Sequence, residues 1–200
     1  MAGFEEQVVD LARRKGVLRP RDLEALGTPR RVLSELTERG ILTRSGRGLY
    51  SLVDAEVTEH HSLAEAATRV PSGVVCLLSA LRFHNLTMQN PWEVWMAITP
   101  DRRKPRPGHP PLRIVRFSKR PFTEGVERHA VDGVKVPIYS AAKTVADCFR
   151  YRNKIGTDVA IEALRLGWEK RAFTADRIWH FAKVCRVANV MRPYLESVVA

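Results

Sequence analysis

The sequence predicts an α+β chain: an N-terminal winged helix-turn-helix over residues 1–53, then a larger mixed α+β domain over residues 58–200 whose C-terminal part is helical. Three observations carry this. Apolar residues recur at helical spacing in three short segments before residue 40, each closed by a glycine. Two strand-like runs joined by a glycine-flanked turn follow them. Beyond residue 58 the pattern shifts to alternating apolar runs and then to helix-capping hydroxyls, with no internal repeat.

In chain order, Phe4, Val8, Leu11 and Ala12 share one helical face, and Gly16 follows the last turn as a C-cap would. A short second helix fits residues 21–26, closed by Gly27. Thr28 and Pro29 then supply an N-cap hydroxyl and a proline at the first helical position, and a third helix runs to about Arg39, where Gly40 ends it. Residues 41–44 and 48–53 read as two strands around the tight turn Ser45, Gly46, Arg47.

In the second domain, Ser62 with Glu65 spells a capping box for a helix that Pro71 stops, and 73–83 reads as a second, very apolar helix. WEVWMAI at 92–98 and LRIVRF at 112–117 alternate as strands, with Arg113 and Arg116 on opposite faces. Asp132-Gly133 is a type I′ hairpin signal, with Val134, Val136 and Ile138 on one face of its second strand. Ser140, Thr157 and Thr174 mark three further helix starts, and Pro193 is expected to kink or close the last.

Two hundred residues at 44% hydrophobic and 28% charged exclude a collagen-like, coiled-coil or wholly disordered chain. The unusual quantity is the charge of +11, which favours a polyanionic partner. That charge is clustered. Residues 13–47 hold ten basic against four acidic side chains, and residues 102–120 hold eight basic residues and no acid. Cys76, Cys148 and Cys185 are widely spaced in apolar segments and read as buried thiols in a reducing compartment. With no signal-peptide pattern and no apolar run of membrane-spanning length, a soluble cytoplasmic protein without membrane association is expected.

The candidate site follows from the helix-turn-helix. Its second helix lies in the major groove with N-terminal residues toward base edges. Val32, Leu33 and Leu36 make the inward side, which leaves Thr28, Arg30, Arg31 and Ser34 for DNA. Arginine there can fork two N–H groups onto guanine O6 and N7, and Thr28 can meet phosphate. Arg44, Ser45 and Arg47 fall on the wing, within reach of phosphate or a minor groove. Glu35 and Glu38 on the same helical face count against DNA; the coincidence of two arginine pairs on elements that a winged helix brings to one side counts for it. Arg102, Arg103, Lys104 and Arg106, in a mobile proline-rich loop, form a second candidate basic contact. An alternative reading makes the chain an RNA- or protein-binding module that uses the 102–120 segment, with the winged helix as scaffold.

Catalytic and cofactor motifs are missing from the sequence. It holds no CxxC, HExxH, GxxxxGK[ST], GxGxxG or DxD pattern, so no metal, no nucleotide cofactor and no enzymatic activity is expected. Asp147, Asp158 and Glu162 read as solvated helix faces, and His84, Cys148 and His180 as structural. Trp92, Trp95, Trp168 and Trp179 sit in segments of regular apolar periodicity and read as core, rather than as a stacking platform for single strands.

The winged helix ending in RGLYSL, the stretch VWMAITPDRRKP and the run IYSAAKTVADCFRYRNKIGTDVAIEALR together resemble the antitoxins of AbiE abortive-infection systems, the type IV toxin-antitoxin pairs. The resemblance implies a phage-defence antitoxin. Its N-terminal winged helix would repress its own operon by binding inverted repeats, as a dimer on double-stranded DNA, with the groove-reading positions at Arg30, Arg31 and Ser34 and the wing at 44–47. Its C-terminal domain would counteract a nucleotidyltransferase toxin, without requiring a stable complex; no residue is assigned to that antagonism.

Overall fold

The computed structural model describes residues 2–46, 48–55 and 58–199. The chain forms two compact units. The first holds Met1–Pro71, Pro105–Leu112 and His129–Val136; the second holds Ser72–Lys104, Arg113–Arg128 and Pro137–Ala200. The first unit thus includes, beside the 1–53 segment, three pieces of chain from further along.

In the first unit, α1 (Ala2–Lys15) buries Val8 and Ala12 and ends at Gly16, whose φ is 69°. A Cβ on Gly16 would fall 1.5 Å from the carbonyl oxygen of Asp132, so only glycine admits this approach. A 3-10 helix (Pro20–Leu26) follows, closed by Gly27 in the left-handed conformation. The next helix, α2 (Arg31–Glu38), starts later than the sequence suggests. Arg30, not Thr28, is its N-cap, and no side chain caps it. The strands β1 (Leu42–Gly46) and β2 (Leu49–Leu52) pair antiparallel, and Leu18 bridges Tyr50 from the far side through N–H···O bonds of 2.7 and 3.0 Å. Ser45 and Gly46 therefore lie within β1 and not in the turn. Val8, Ala12, Leu18, Leu23, Leu33, Leu36 and Leu42 are among the residues that close this core.

The helix α3 (His61–Arg69) has His60 at its N-cap, so the capping box expected from Ser62 and Glu65 does not form. The carboxylate of Glu65 instead turns inward, 2% exposed, with His61 Nε2 and His109 Nε2 each 3.7 Å from it. The Asp132-Gly133 turn is as expected. Both residues have positive φ, 46° and 75°, and His61 Nδ1 lies 2.7 Å from the Asp132 carboxylate.

A five-stranded sheet of order β5-β4-β3-β7-β6 is formed by β3 (Val74–Val75), β4 (Val94–Ile98), β5 (Leu112–Arg116), β6 (Val126–Val131) and β7 (Val134–Tyr139); the second unit holds β3, β4 and residues 113–116, 126–128 and 137–139 of the other three strands. Residues 73–83 are not one helix. Val74 and Val75 pair antiparallel with β4, Val75 also pairs parallel with Ile138 of β7, and only then does α4 (Leu77–Phe83) begin. Two β-branched residues buried on both faces of a central strand outweigh a helical pattern. The same burial explains β4, where all five residues are interior and no alternation survives. Trp95 is in that core. Trp92, just outside the strand, is 80% exposed, so the expected core role fails for it.

A short helix, α5 (Lys119–Thr123), precedes β6. After the sheet come α6 (Ala141–Arg150), α7 (Arg152–Ile155), α8 (Thr157–Glu169), α9 (Ala175–Val184) and α10 (Ala188–Val199). Ser140 and Thr174 cap α6 and α9 through their hydroxyls, accepting from Lys143 N–H at 3.4 Å and Arg177 N–H at 3.3 Å. Thr157 does not cap; Gly156, with φ 99°, holds that position. The last helix continues through Pro193.

The centre of this unit is α6, packed by α4, α8, α9 and α10 and buried on every side from Ala141 to Phe149. Asp147 is therefore not on a solvated face. It is 1% exposed, 2.5 Å from the ammonium of Lys143, itself 0% exposed. Cys185 Sγ donates to Asp147 at 3.1 Å, and the Lys143 ammonium lies 4.2 Å from the ring centroid of Tyr139 and 4.9 Å from that of Phe117. Burial pushes the Asp147 carboxyl above the usual carboxylate range and outweighs the pull of Lys143 and Cys185. All three cysteines are free and buried, and burial pushes each thiol up.

Candidate nucleic-acid interface

The amphipathic helix α2 turns Val32, Leu33 and Leu36 into the core of the first unit. This leaves Arg30, Arg31 and Ser34 exposed, as its spacing requires. Both arginines are held loosely. Arg30 pairs with Glu24, and Arg31 Nε lies 3.8 Å from Glu35, all four side chains being well exposed. Thr28 differs from expectation. It is 5% exposed and its Oγ1 has no hydrogen-bond partner, because the chain turns inward at Gly27 and Thr28 N–H donates to Leu23 O at 3.1 Å.

On the wing, β1 packs against α2 and exposes Thr43 and Arg44. Arg44 Nε donates to Gly46 O at 3.3 Å. Ser45 is half-buried, with no partner for its Oγ. Arg47 lies outside the described residues. Beneath the wing, a Cβ on Gly46 would come 2.9 Å from the carbonyl oxygen of His109, so the strand rests directly on the proline-rich segment.

That segment is tethered rather than loose. Arg69, at the end of α3, donates to Pro110 O at 2.6 Å and also to Arg106 O. Arg106 keeps its own side chain exposed, in the same compact unit as the wing. Arg102, Arg103 and Lys104 are exposed on the second unit, with Arg102 Nε 3.8 Å from Asp101. Sequence reasoning missed the two residues that organise this region, Arg69 and Glu65. Glu65 reads in the sequence only as half of a capping box with Ser62, and Arg69 carries no signal, because the partners His109 and Pro110 lie about forty residues away.

The first helix of the pair is fixed by Asp22, which accepts from Arg19 N–H at 2.7 Å and from Lys15 Nζ at 2.7 Å. Partial burial raises its carboxyl, but these two donors outweigh burial and hold it below the usual range. Among the described residues no group of three or more His, Cys, Asp or Glu side chains is arranged to hold a metal ion, and no helix is long and apolar enough to cross a membrane.

A helical pair, a recognition-type helix with basic N-terminal residues and a two-stranded wing define the winged-helix class. Residues 6–53 match a family model described as a transcriptional regulator, the AbiEi antitoxin, so this segment is of the AbiEi antitoxin type and supports a role as antitoxin and regulator. Three solved chains match in structure. One is the crystal structure of the RV2827C protein from Mycobacterium tuberculosis, with a TM-score of 0.63 at 13% identity over 96% of this chain and 77% of that one. At that identity the likeness establishes the fold alone. No curated protein matches the sequence.

Proposed function

We propose that this chain is the antitoxin of a type IV toxin-antitoxin pair and a cytoplasmic, sequence-specific repressor of its own operon. It binds an inverted repeat in double-stranded DNA as a dimer and counteracts a nucleotidyltransferase toxin without needing a stable complex with it. The DNA-reading residues are Arg30, Arg31 and Ser34, with Arg44 on the wing and Arg47 following it in sequence; Ser45 is set aside because its Oγ is buried. Arg106, and separately Arg102, Arg103 and Lys104 on the second unit, are exposed cations that can each meet phosphate. Thr28 is left out of the set because its hydroxyl is turned inward.

The observation that carries the reading is the state of the two helix arginines. They stand exposed at the N-terminal end of α2, oriented only by surface ion pairs with Glu24 and Glu35. Such pairs are each worth under about 1 kcal/mol, whereas one bidentate arginine–guanine contact discriminates by about 1–3 kcal/mol. Exchange of one for the other favours DNA. The half-buried Glu35 and the exposed Glu38 then act against phosphate and confine the favourable contact to the first turn.

A promoter–reporter fusion tests this. The wild-type chain should repress a reporter driven by its own upstream region, and Arg30→Ala/Arg31→Ala should relieve repression with unchanged protein level. Repression that survives the double substitution would remove α2 as the reading element. A gel shift against tRNA separates the other reading, since tight tRNA binding with no DNA preference would move the function to the 102–120 segment.

A further inference from the structure

We infer that the second unit carries its own binding groove for a phosphodiester strand, at the junction of α6–α7 with the turn between α9 and α10. Two adjoining depressions of about 480 and 370 Å³ meet there and share Arg186, Val187 and Val190. Five cations line them: Arg150, Arg152 and Lys154 on one side, Lys183 and Arg186 on the other. Among the described residues no acidic side chain lines either one.

The cations are set in place without being neutralised. Arg150 Nη1 donates to Cys185 O and Arg152 Nη1 to Phe149 O, both at 2.9 Å, and Arg150 also hydrogen-bonds the side chain of Tyr151, so backbone and neutral groups hold both guanidiniums. Lys154 lies over the ring of Tyr151 at 5.6 Å, and Lys183 over that of Trp179 at 5.8 Å. Arg186 is held at φ 58°, a left-handed conformation that a non-glycine residue adopts at a cost, and that geometry places it where the two depressions join. Among the described residues none of the five is ion-paired to a carboxylate, in contrast to Arg30, Arg31, Arg39, Arg113 and Arg120 elsewhere on the chain. Like charges converging with no paired surface carboxylate repel one another, Arg150 alone being drawn toward the buried Asp147, and an anion relieves that repulsion.

The shape and lining select the kind of anion. A lone phosphate would fill a small part of two confluent depressions and meet only some of the cations; a chain of phosphates meets them in succession. An acidic protein is disfavoured because its docking site would need an exposed apolar anchor at the centre, where Val187 is buried and Val190 half-buried. The large exposed apolar side chains among the described residues, Phe4, Val53, Met88 and Trp92, all lie elsewhere. The amides of Asn153 and Asn189 border the groove and add donors suited to phosphate and sugar oxygens. The lining is dominated by cations that a chain of phosphates meets in succession, so the backbone supplies most of the contact.

This inference does not rest on the winged helix, and the experiment keeps the two apart. In the full chain carrying Arg30→Ala/Arg31→Ala, fluorescence anisotropy is measured at several salt concentrations with three labelled probes of about 20 nucleotides: single-stranded DNA, a scrambled DNA duplex and an RNA hairpin. Adding Lys154→Gln/Lys183→Gln/Arg186→Gln should weaken binding to at least one probe by tenfold or more at low salt. It should also lower the slope of log affinity against log salt by about 2 to 3. The probe that loses most identifies the natural strand. The control Lys119→Gln/Arg128→Gln/Arg165→Gln removes three exposed charges from the same unit and should cost far less. Should Arg186→Gln disturb the turn, Lys154→Glu/Lys183→Glu gives the same readout, and Lys154→Arg/Lys183→Arg should retain affinity. Equal losses in groove and control variants would overturn the inference, as would full competition by inorganic phosphate at millimolar concentration, which would make this a single-anion site.

Discussion

Two helices of this chain carry a cation four residues ahead of an acid and do opposite things with it. On α2, Arg31 and Glu35 stand 3.8 Å apart with both side chains in water. On α6, Lys143 and Asp147 meet at 2.5 Å with neither reachable by solvent. The spacing is the same and the energetics are not. An exposed pair is worth tenths of a kcal/mol and exchanges readily for a phosphate or a base. A buried pair costs several kcal/mol to desolvate, and once made it cannot lose one partner without stranding the other. The first arrangement leaves arginines free to act on a ligand; the second commits its charges to the fold.

The largest effect should come from breaking the buried pair. Asp147→Ala strands the Lys143 ammonium beneath Tyr139 and Phe117 and should cost about 3–5 kcal/mol in urea unfolding, while Lys143→Met/Asp147→Leu recovers most of that loss. Glu35→Ala, the matched change on α2, should stay within about 0.5 kcal/mol. If the two single substitutions cost the same, the contrast between the helices is wrong.

A smaller effect is expected at Arg69. Arg69→Met removes the donors that tether Pro110 and Arg106 and should cost about 1–2 kcal/mol. Its sharper readout is local: amide exchange and proteolytic cleavage should rise across 105–111 while α6 keeps its protection. Uniform acceleration throughout the chain would show that the tether supports the whole fold and not the bed of the wing.

The smallest effect is tied to pH. Because the folded state holds the Asp22 carboxyl below its ordinary value, its contribution to stability is complete above the unfolded pKa, near 4, and disappears as pH falls through the lower folded value. Asp22→Asn should therefore lower stability by less than about 1 kcal/mol at neutral pH, with the difference from wild type vanishing in acid. A difference that persists or grows on acidification would contradict the assigned role of Lys15 and the Arg19 N–H.

What was legible in the sequence follows the same division. The winged helix is written locally: helical spacing of Val8 and Ala12 or Val32, Leu33 and Leu36, glycines at 16, 27 and 40 with positive φ, and a short hairpin, all of which the structure bears out. The Asp132-Gly133 hairpin was equally plain, since its turn chemistry is local. Long-range burial was harder to read. Val74 and Val75 are strand only because β4 and β7 flank them. Asp147 is interior because α6 is surrounded; Ala141, Ala142, Val145, Ala146, Cys148 and Phe149 around it already describe a helix apolar on every side. For the candidate interface, the exposure of Arg30, Arg31 and Ser34 could be read from helical periodicity, while the inward turn of Thr28 depended on a single backbone bond to Leu23. The anchoring of Arg69 on Pro110 and Arg106 left no trace in spacing, because its partners come from a distant segment.

The central claim is that exposed arginines on α2 read base sequence. Its most direct measurement is the ratio of affinities for the operon's upstream repeat and for a scrambled duplex, at two salt concentrations, with and without Arg30→Ala/Arg31→Ala. The account predicts a wild-type ratio of about a thousand or more. In the double variant that ratio should collapse toward one, while binding to scrambled DNA weakens only modestly. A ratio that survives the substitutions, or a wild-type ratio already near one, would contradict it.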